Sequence, residues 1–306
     1  MVLPHSINLL RPPLVALGVS LLCAQISLGC SSAPARPIIT APLRTCVVLS
    51  VGEFYGIAHA GALRQLQRQL QNHGQRIDCV VGNSMGAVVG ALYASEPQQD
   101  PVERMRALLV AYGAQSEREF AQDQLKYLAA EAIKKLTEGT IDIGAFRRLA
   151  HGRFVRVMDT FVAGRLIEQL SLPFATFHQR RDGGGLVLVT VRTGNVAHAV
   201  GASAANPLIF DDVDIKTAAQ IDPGADRLSA VPVSDACRLF PDARLIAINV
   251  TGEPLAVAAE TRCPVEHIVV PRRPSIDRAD AAKGGPEFDR LIGDGEAAVL
   301  SWRAPK

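Results

Sequence analysis

With 306 residues, the chain has room for one large domain or two small ones, each able to bury a hydrophobic core. Its composition, 48% hydrophobic and 20% charged, is that of an ordinary globular protein. A formal net charge of +2 removes the usual electrostatic reason to expect a nucleic-acid partner, because phosphate neutralisation requires a basic face, and none is expected.

The first thirty residues stand apart from the rest. Arg11 is followed by an apolar run from Leu14 to Leu22 and by Ala24 to Gly29, ending at Cys30. The run is too short to span a bilayer and has the order of a signal peptide over residues 1–29. Leu28-Gly29-Cys30-Ser31-Ser32-Ala33-Pro34 resembles a bacterial lipoprotein processing site, which makes Cys30 the expected point of lipidation. A membrane surface is then the expected partner of an exported, anchored protein, with Ser31 favouring an outer membrane. Ser27 stands where such sites usually carry Leu, so plain secretion is the alternative. Residues 30–43, rich in Pro, Ala and Ser, read as a flexible tether, and one folded domain is expected over 44–306.

Four cysteines follow: Cys46, Cys79, Cys237 and Cys263. None has metal-ligand spacing, and no metal is expected. Cys46 and Cys79 fall in predicted buried strands, where a small apolar residue suffices, and are expected as reduced thiols. Cys237 and Cys263 are open between thiol and disulfide.

Cys46 to Ser50 is a continuous apolar strand. After the loop Val51 to Gly56, a helix follows with Ala58, Ala62, Leu63, Leu66 and Leu70 on one face. The next apolar run, Cys79-Val80-Val81, leads through Gly82-Asn83-Ser84-Met85-Gly86 into the small-residue helix Ala87 to Ala94. Chance alone would give roughly 0.1 such G-x-S-x-G matches in a chain of this length. Between a strand and a helix, the pattern is a nucleophile elbow. Gly82 and Gly86 leave room for a strained backbone, and Ser84 projects at a helix N-terminus, where N–H groups and a partial positive charge gather. Two strand–helix pairs in succession predict a mainly parallel sheet with helices on both faces, a three-layer α/β/α arrangement.

From Pro97 to Gly152 the pattern is helical. Leu108, Leu109 and Tyr112, then Leu125, Leu128, Ala132, Ile133 and Leu136, recur at three- and four-residue steps, as in an amphipathic bundle covering the sheet. Pro173 to Phe177 and Leu186 to Val191 read as strands, joined by a turn containing Arg181-Asp182-Gly183-Gly184-Gly185. That glycine run enters a strand and not a helix, so it lacks the context of a phosphate-cradling loop. Arg180-Arg181 and Arg272-Arg273 read as solvated turns. Ala243 to Val250 and His267 to Val270 are further strands, and Phe288 to Trp302 a closing helix. No calcium loop and no internal repeat is visible, and no cofactor is expected.

Four stretches together resemble the patatin-like phospholipases, serine acyl hydrolases that use a Ser–Asp dyad. They are Leu49 to Leu63, a glycine-containing oxyanion segment with its helix; the Ser84 elbow with its flanks; Ala199 to Phe210; and Ile221-Asp222-Pro223-Gly224-Ala225 followed by Val231-Pro232-Val233. The resemblance implies Ser84 as nucleophile, Asp222 as base, and backbone N–H groups around Gly52 and Glu53 as the oxyanion hole. It also implies phospholipids or other acyl-ester lipids as substrates and an acyl-enzyme intermediate.

The loop departs from the family's Gly-Gly-Gly-x-Arg-Gly, reading Val51-Gly52-Glu53-Phe54-Tyr55-Gly56, and Asp222 is followed by Pro223. A carboxylate at Glu53 would oppose a developing oxyanion by about 1–4 kcal/mol. Three alternatives follow. A catalytically impaired member would keep the fold as a lipid- or protein-binding scaffold; Asp226 is a second candidate base; and the order Ser84, Asp222, His267 allows a triad esterase. His59, on the helix after the loop, is expected to be structural, and His151, His178 and His198 show no ligand spacing.

Overall fold

A computed structural model of the chain describes residues 44–114, 150–182, 185–206, 210, 219–225 and 230–302. All of them fall in the compact unit Pro42–Lys306. Cys30, the tether, Leu125 to Leu136 and Asp226 lie outside the described residues.

Six strands form one sheet: β1 (Arg44–Leu49), β2 (Cys79–Gly82), β3 (Phe174–Asp182), β4 (Gly185–Val191), β5 (Ala243–Asn249) and β6 (Val265–Val269). Their order is β4-β3-β2-β1-β5-β6, and every pairing is parallel except β3 with β4. The strands alternate side chains between the two faces, as a period of two demands. Val47, Leu49, Val80, Phe174, Ile246 and Ile248 enter one core. Cys46, Val48, Cys79, Val81, Ala175 and Leu245 enter the other.

Among the described residues, the two faces are covered unequally. The first carries α1 (Ala58–Asn72), α2 (Met85–Ser95), α3 (residues 101–114), α4 (His151–Phe161), α5 (Val196–Ser203) and α8 (Pro286–Ser301). The second is packed by α6 (Val233–Leu239) through Val233 and Ala236. Leu63, Leu66, Met105, Met158 and Phe288 are fully buried on the first face. Each such side chain contributes about 1.5–3 kcal/mol relative to exposure. Helices α1 and α8 touch backbone to backbone: a Cβ on Gly61 would collide with the Ile292 carbonyl, and one on Gly295 with the Ala58 carbonyl. A short helix, α7 (Arg278–Ala282), precedes α8.

Two sequence expectations are corrected by the strand pairing. Cys46 and Cys79 stand opposite each other in the β1–β2 register, 4.5 Å apart at Cα, and form a disulfide where reduced thiols were expected. Strand-by-strand reading saw two buried small residues but not that one register aligns them. Cys237 and Cys263, left open by the sequence, also form a disulfide, with Cα atoms 5.7 Å apart. Arg180 and Arg181 do not lie in a turn. They extend β3, opposite Val187 and Leu186 of β4.

Candidate active site

The order of strands reverses at β1, with β2 and β3 to one side and β5 and β6 to the other. In open α/β sheets, ligands gather at the carboxyl ends of strands near such a reversal. The loops after β1 and β2, where the sequence placed the oxyanion segment and the elbow, both lie there.

Ser84 joins β2 to α2 with φ 53 and ψ −124, a conformation that a residue with a Cβ seldom holds. Gly82 and Gly86 make it possible. A Cβ on Gly82 would collide with the Gly86 carbonyl, and one on Gly86 would come within 2.5 Å of the Ser50 carbonyl and 2.6 Å of the Leu49 carbonyl. The Ser84 N–H donates to Ser203 Oγ at 2.9 Å, and its carbonyl accepts from the N–H groups of Ala87 and Val88 at 2.9 and 3.1 Å. Ser203, at the end of α5, thus fixes the elbow from outside, a role the sequence did not reveal.

Asp222 follows Ile221, whose backbone bridges to Gln179 on β3. Its N–H donates to the Ala205 carbonyl at 3.0 Å, and its Oδ1 accepts from the Gly224 N–H at 2.8 Å. The donor that Pro223 lacks is therefore supplied one residue later, on the turn Pro223–Ala225. Burial pushes the Asp222 carboxyl up to about 6; a side-chain hydrogen bond from Ser84 and the Gly224 N–H pull it down, and the Glu53 carboxylate raises it. Oδ2 completes no hydrogen bond of ordinary geometry, so the contact with Ser84 is a loose one. Resting catalytic pairs are often loose and tighten only with substrate.

After β1, Val51 donates its N–H to the Ala230 carbonyl at 2.8 Å and keeps a negative φ, so its branched side chain meets no strain. The left-handed position is Glu53, with φ 46. Gly52 is needed for space, since a Cβ there would strike Val250. Gly52 and Glu53 open a 3-10 turn, Glu53–Ile57, whose first N–H groups have no partner within it. The Glu53 carboxylate pairs with Arg278 of α7 at 3.2 Å. Tyr55, at the position of the family's basic residue, donates its hydroxyl to the Arg273 carbonyl at 2.6 Å, and its ring lies 4.4 Å beneath the Arg272 guanidinium. Arg273 in turn grips Asp294 through two hydrogen bonds. The pair Arg272-Arg273 therefore braces the loop and is not a merely solvated turn.

His59 lies behind the loop, fully buried, with Nε2 3.3 Å from Ser50 Oγ. Burial pushes its pKa down to about 4, so it stays neutral. The third candidate, His267, sits on β6, which β1 and β5 separate from β2, and its Nε2 is buried without a hydrogen-bond partner. The structure therefore brings Ser84, Asp222, Gly52 and Glu53 to one sheet end and leaves His267 away from them. Among the described residues, no group of three His, Cys, Asp or Glu side chains could hold a metal ion.

Ser84 opens into a cavity of about 550 Å³, walled by Phe54, Met85, Val88, Leu109, Tyr112 and Phe154, with Glu53 and Lys283 its charged residues among those described. The helical periodicity of Leu109 and Tyr112 gave only an amphipathic helix; that their end of α3 forms a cavity wall depends on where α4 and α7 pack.

Solved structures matched by the chain include ExoU of Pseudomonas aeruginosa in its heterodimeric complex with SpcU, at 17% identity and TM-score 0.36, covering 85% of this chain and 52% of that one. VipD of Legionella pneumophila matches at 10% identity and TM-score 0.40, covering 85% of this chain and 66% of that one. The chain thus spans about half of ExoU and less than two thirds of VipD. Identities and TM-scores this low bear on neither substrate nor activity. The model of the patatin-like phospholipases matches residues 47–236, a stretch that contains both loops, Ser84 and Asp222. Spanning more than half of the sequence, that match places the chain in the patatin-like phospholipase family.

Proposed function

We propose that the protein is a serine acyl hydrolase of phospholipids or other acyl-ester lipids, working through Ser84 and Asp222. The observation that carries this reading is a buried carboxylate beside a strained serine at the mouth of an apolar cavity. Asp222 takes the Ser84 proton as Oγ bonds to the acyl carbon. The N–H groups of Gly52 and Glu53 receive the oxyanion. Collapse breaks the ester C–O bond, and Asp222 returns its proton to the leaving alcohol. Water, deprotonated by the same carboxylate, then cleaves the acyl–Ser84 ester. A carboxyl titrating at about 6 is ionised at neutral pH, yet more basic than an exposed one. The apolar wall suits an acyl chain.

Fluorophosphonate labelling tests the assignment. The native protein is expected to label and Ser84→Ala not to, with hydrolysis lowered by roughly 10⁵-fold or more. Absence of labelling in the folded native protein would overturn it. That result would leave the scaffold reading, which the Glu53 carboxylate beside Asp222 favours.

The proposal includes export and lipidation at Cys30, on the strength of residues 1–30 and of two disulfides that suit an oxidising compartment. Palmitate incorporation that persisted in Cys30→Ala would count against the anchor.

A further inference from the structure

The oxyanion loop carries no cation of its own, because Tyr55 replaces the basic residue and turns its hydroxyl to the Arg273 carbonyl. It does carry an anion. Glu53 lines the cavity beside Ser84, and its carboxylate bears electrostatically on Asp222. Glu53 also holds a left-handed backbone that its neighbours must maintain. One side chain answers both needs. Arg278 Nη2 lies 3.2 Å from Glu53 Oε2, across 225 residues of sequence and beyond the matched segment 47–236. Its helix is fixed in place: Asp277 caps it by accepting the Asp280 N–H at 3.0 Å, and Asp280 accepts the Glu287 N–H at 2.6 Å.

We propose that Arg278 is a positioning residue for acyl transfer: it holds and neutralises the Glu53 carboxylate, so that the left-handed Glu53 backbone faces the acyl oxygen without an opposing charge. The family's loop supplies its cation from within, and this chain supplies it from α7. Among the described residues, the charged groups around the pair are Asp222 on one side, Lys283 on the cavity wall, and Asp277 and Asp280 on α7 itself. The proposal rests on Ser84 being the nucleophile.

The test measures kcat and KM for a short-chain ester, and the fluorophosphonate labelling rate, against pH. In Arg278→Ala, kcat and labelling should fall roughly tenfold with KM unchanged, because a freed carboxylate opposes the oxyanion. The acid limb should move to higher pH, since an uncompensated Glu53 makes Asp222 harder to ionise. Arg278→Lys should keep most of the rate. Adding Glu53→Gln to Arg278→Ala should restore rate and acid limb together, which a purely structural role would not produce. An Arg278→Ala protein with native rate and pH profile, or a double variant no faster than the single one, would overturn the proposal. A native protein that labels separates that failure from failure of the nucleophile assignment; one that does not label overturns both. Arg278 is exposed, and thermal unfolding of each variant checks the fold.

Discussion

The loops after β1 and β2 are neighbours at one end of the sheet, and each holds one side-chain-bearing residue in left-handed backbone, Glu53 and Ser84. They are held by different means. The elbow is framed by glycines whose Cα atoms meet backbone carbonyls, together with the Ser203 hydroxyl. The oxyanion loop keeps Gly52 for space but depends on side chains that arrive from residues 272–278. Backbone-to-backbone packing is short-ranged and indifferent to salt, whereas an exposed ion pair is weak and screened. The lesson is that one site can pair a rigidly framed serine with a neighbouring loop whose brace is conditional.

Asp222→Asn breaks the chemistry on the elbow's side and has the largest expected effect. Hydrolysis should fall roughly 10²–10⁴-fold, the range of a lost general base. Stability should move the other way. The native carboxyl titrates at about 6 against an unfolded value of 3.8, so it costs nothing below 3.8, and its cost grows as pH rises towards 6. At neutral pH, Asn should therefore raise unfolding stability by up to about 3 kcal/mol, and no gain over its value at acid pH would contradict the burial of an ionised Asp222. If Asp222 is the base, the same titration makes kcat/KM rise with pH through about 6 and level off above it.

Gly86→Ala and Gly52→Ala compare the two frames directly. The first drives a Cβ into two backbone carbonyls, of Leu49 on β1 and of Ser50 after it; the second strikes the Val250 side chain and comes within 3.0 Å of the Gly56 backbone nitrogen, a looser backbone contact. Overpacking costs about 1–3 kcal/mol, with Gly86→Ala expected at or above the top of that range and Gly52→Ala at its lower end. Equal losses of Tm would dissolve the distinction. Tyr55→Phe is the mildest change. Removing the bond to the Arg273 carbonyl should cost about 1 kcal/mol, or roughly 2–4 °C in Tm, and activity should fall with it if the loop needs that brace.

The elbow was legible because glycine spacing, a short apolar strand and a small-residue helix all point to one backbone geometry. Asp222 was legible only through similarity of its segment, since a lone aspartate carries no periodicity. Val51 shows the limit of reading by composition. A β-branched residue where the family has glycine reads as a site of strain, but the positive φ falls two residues later, at Glu53. Arg278 gave no sequence signal at all: it is one arginine on a five-residue helix, and its meaning comes entirely from what lies across from it. The Cys46–Cys79 bridge was missed for the same reason, because register is a property of two strands and not of either alone.

The contacts that brace the oxyanion loop join residues 218 and 225 positions apart. The elbow's farthest brace, Ser203, lies 119 positions from Ser84, but its partner loop is finished only when almost the whole domain has come round. Non-local closure of this kind is slow compared with a local turn. Any synthesis or export that delivers the N-terminal part first therefore forms the Ser84 elbow early and braces the loop after β1 late. A chain cut before Arg273 would carry Ser84 in place with the loop unbraced.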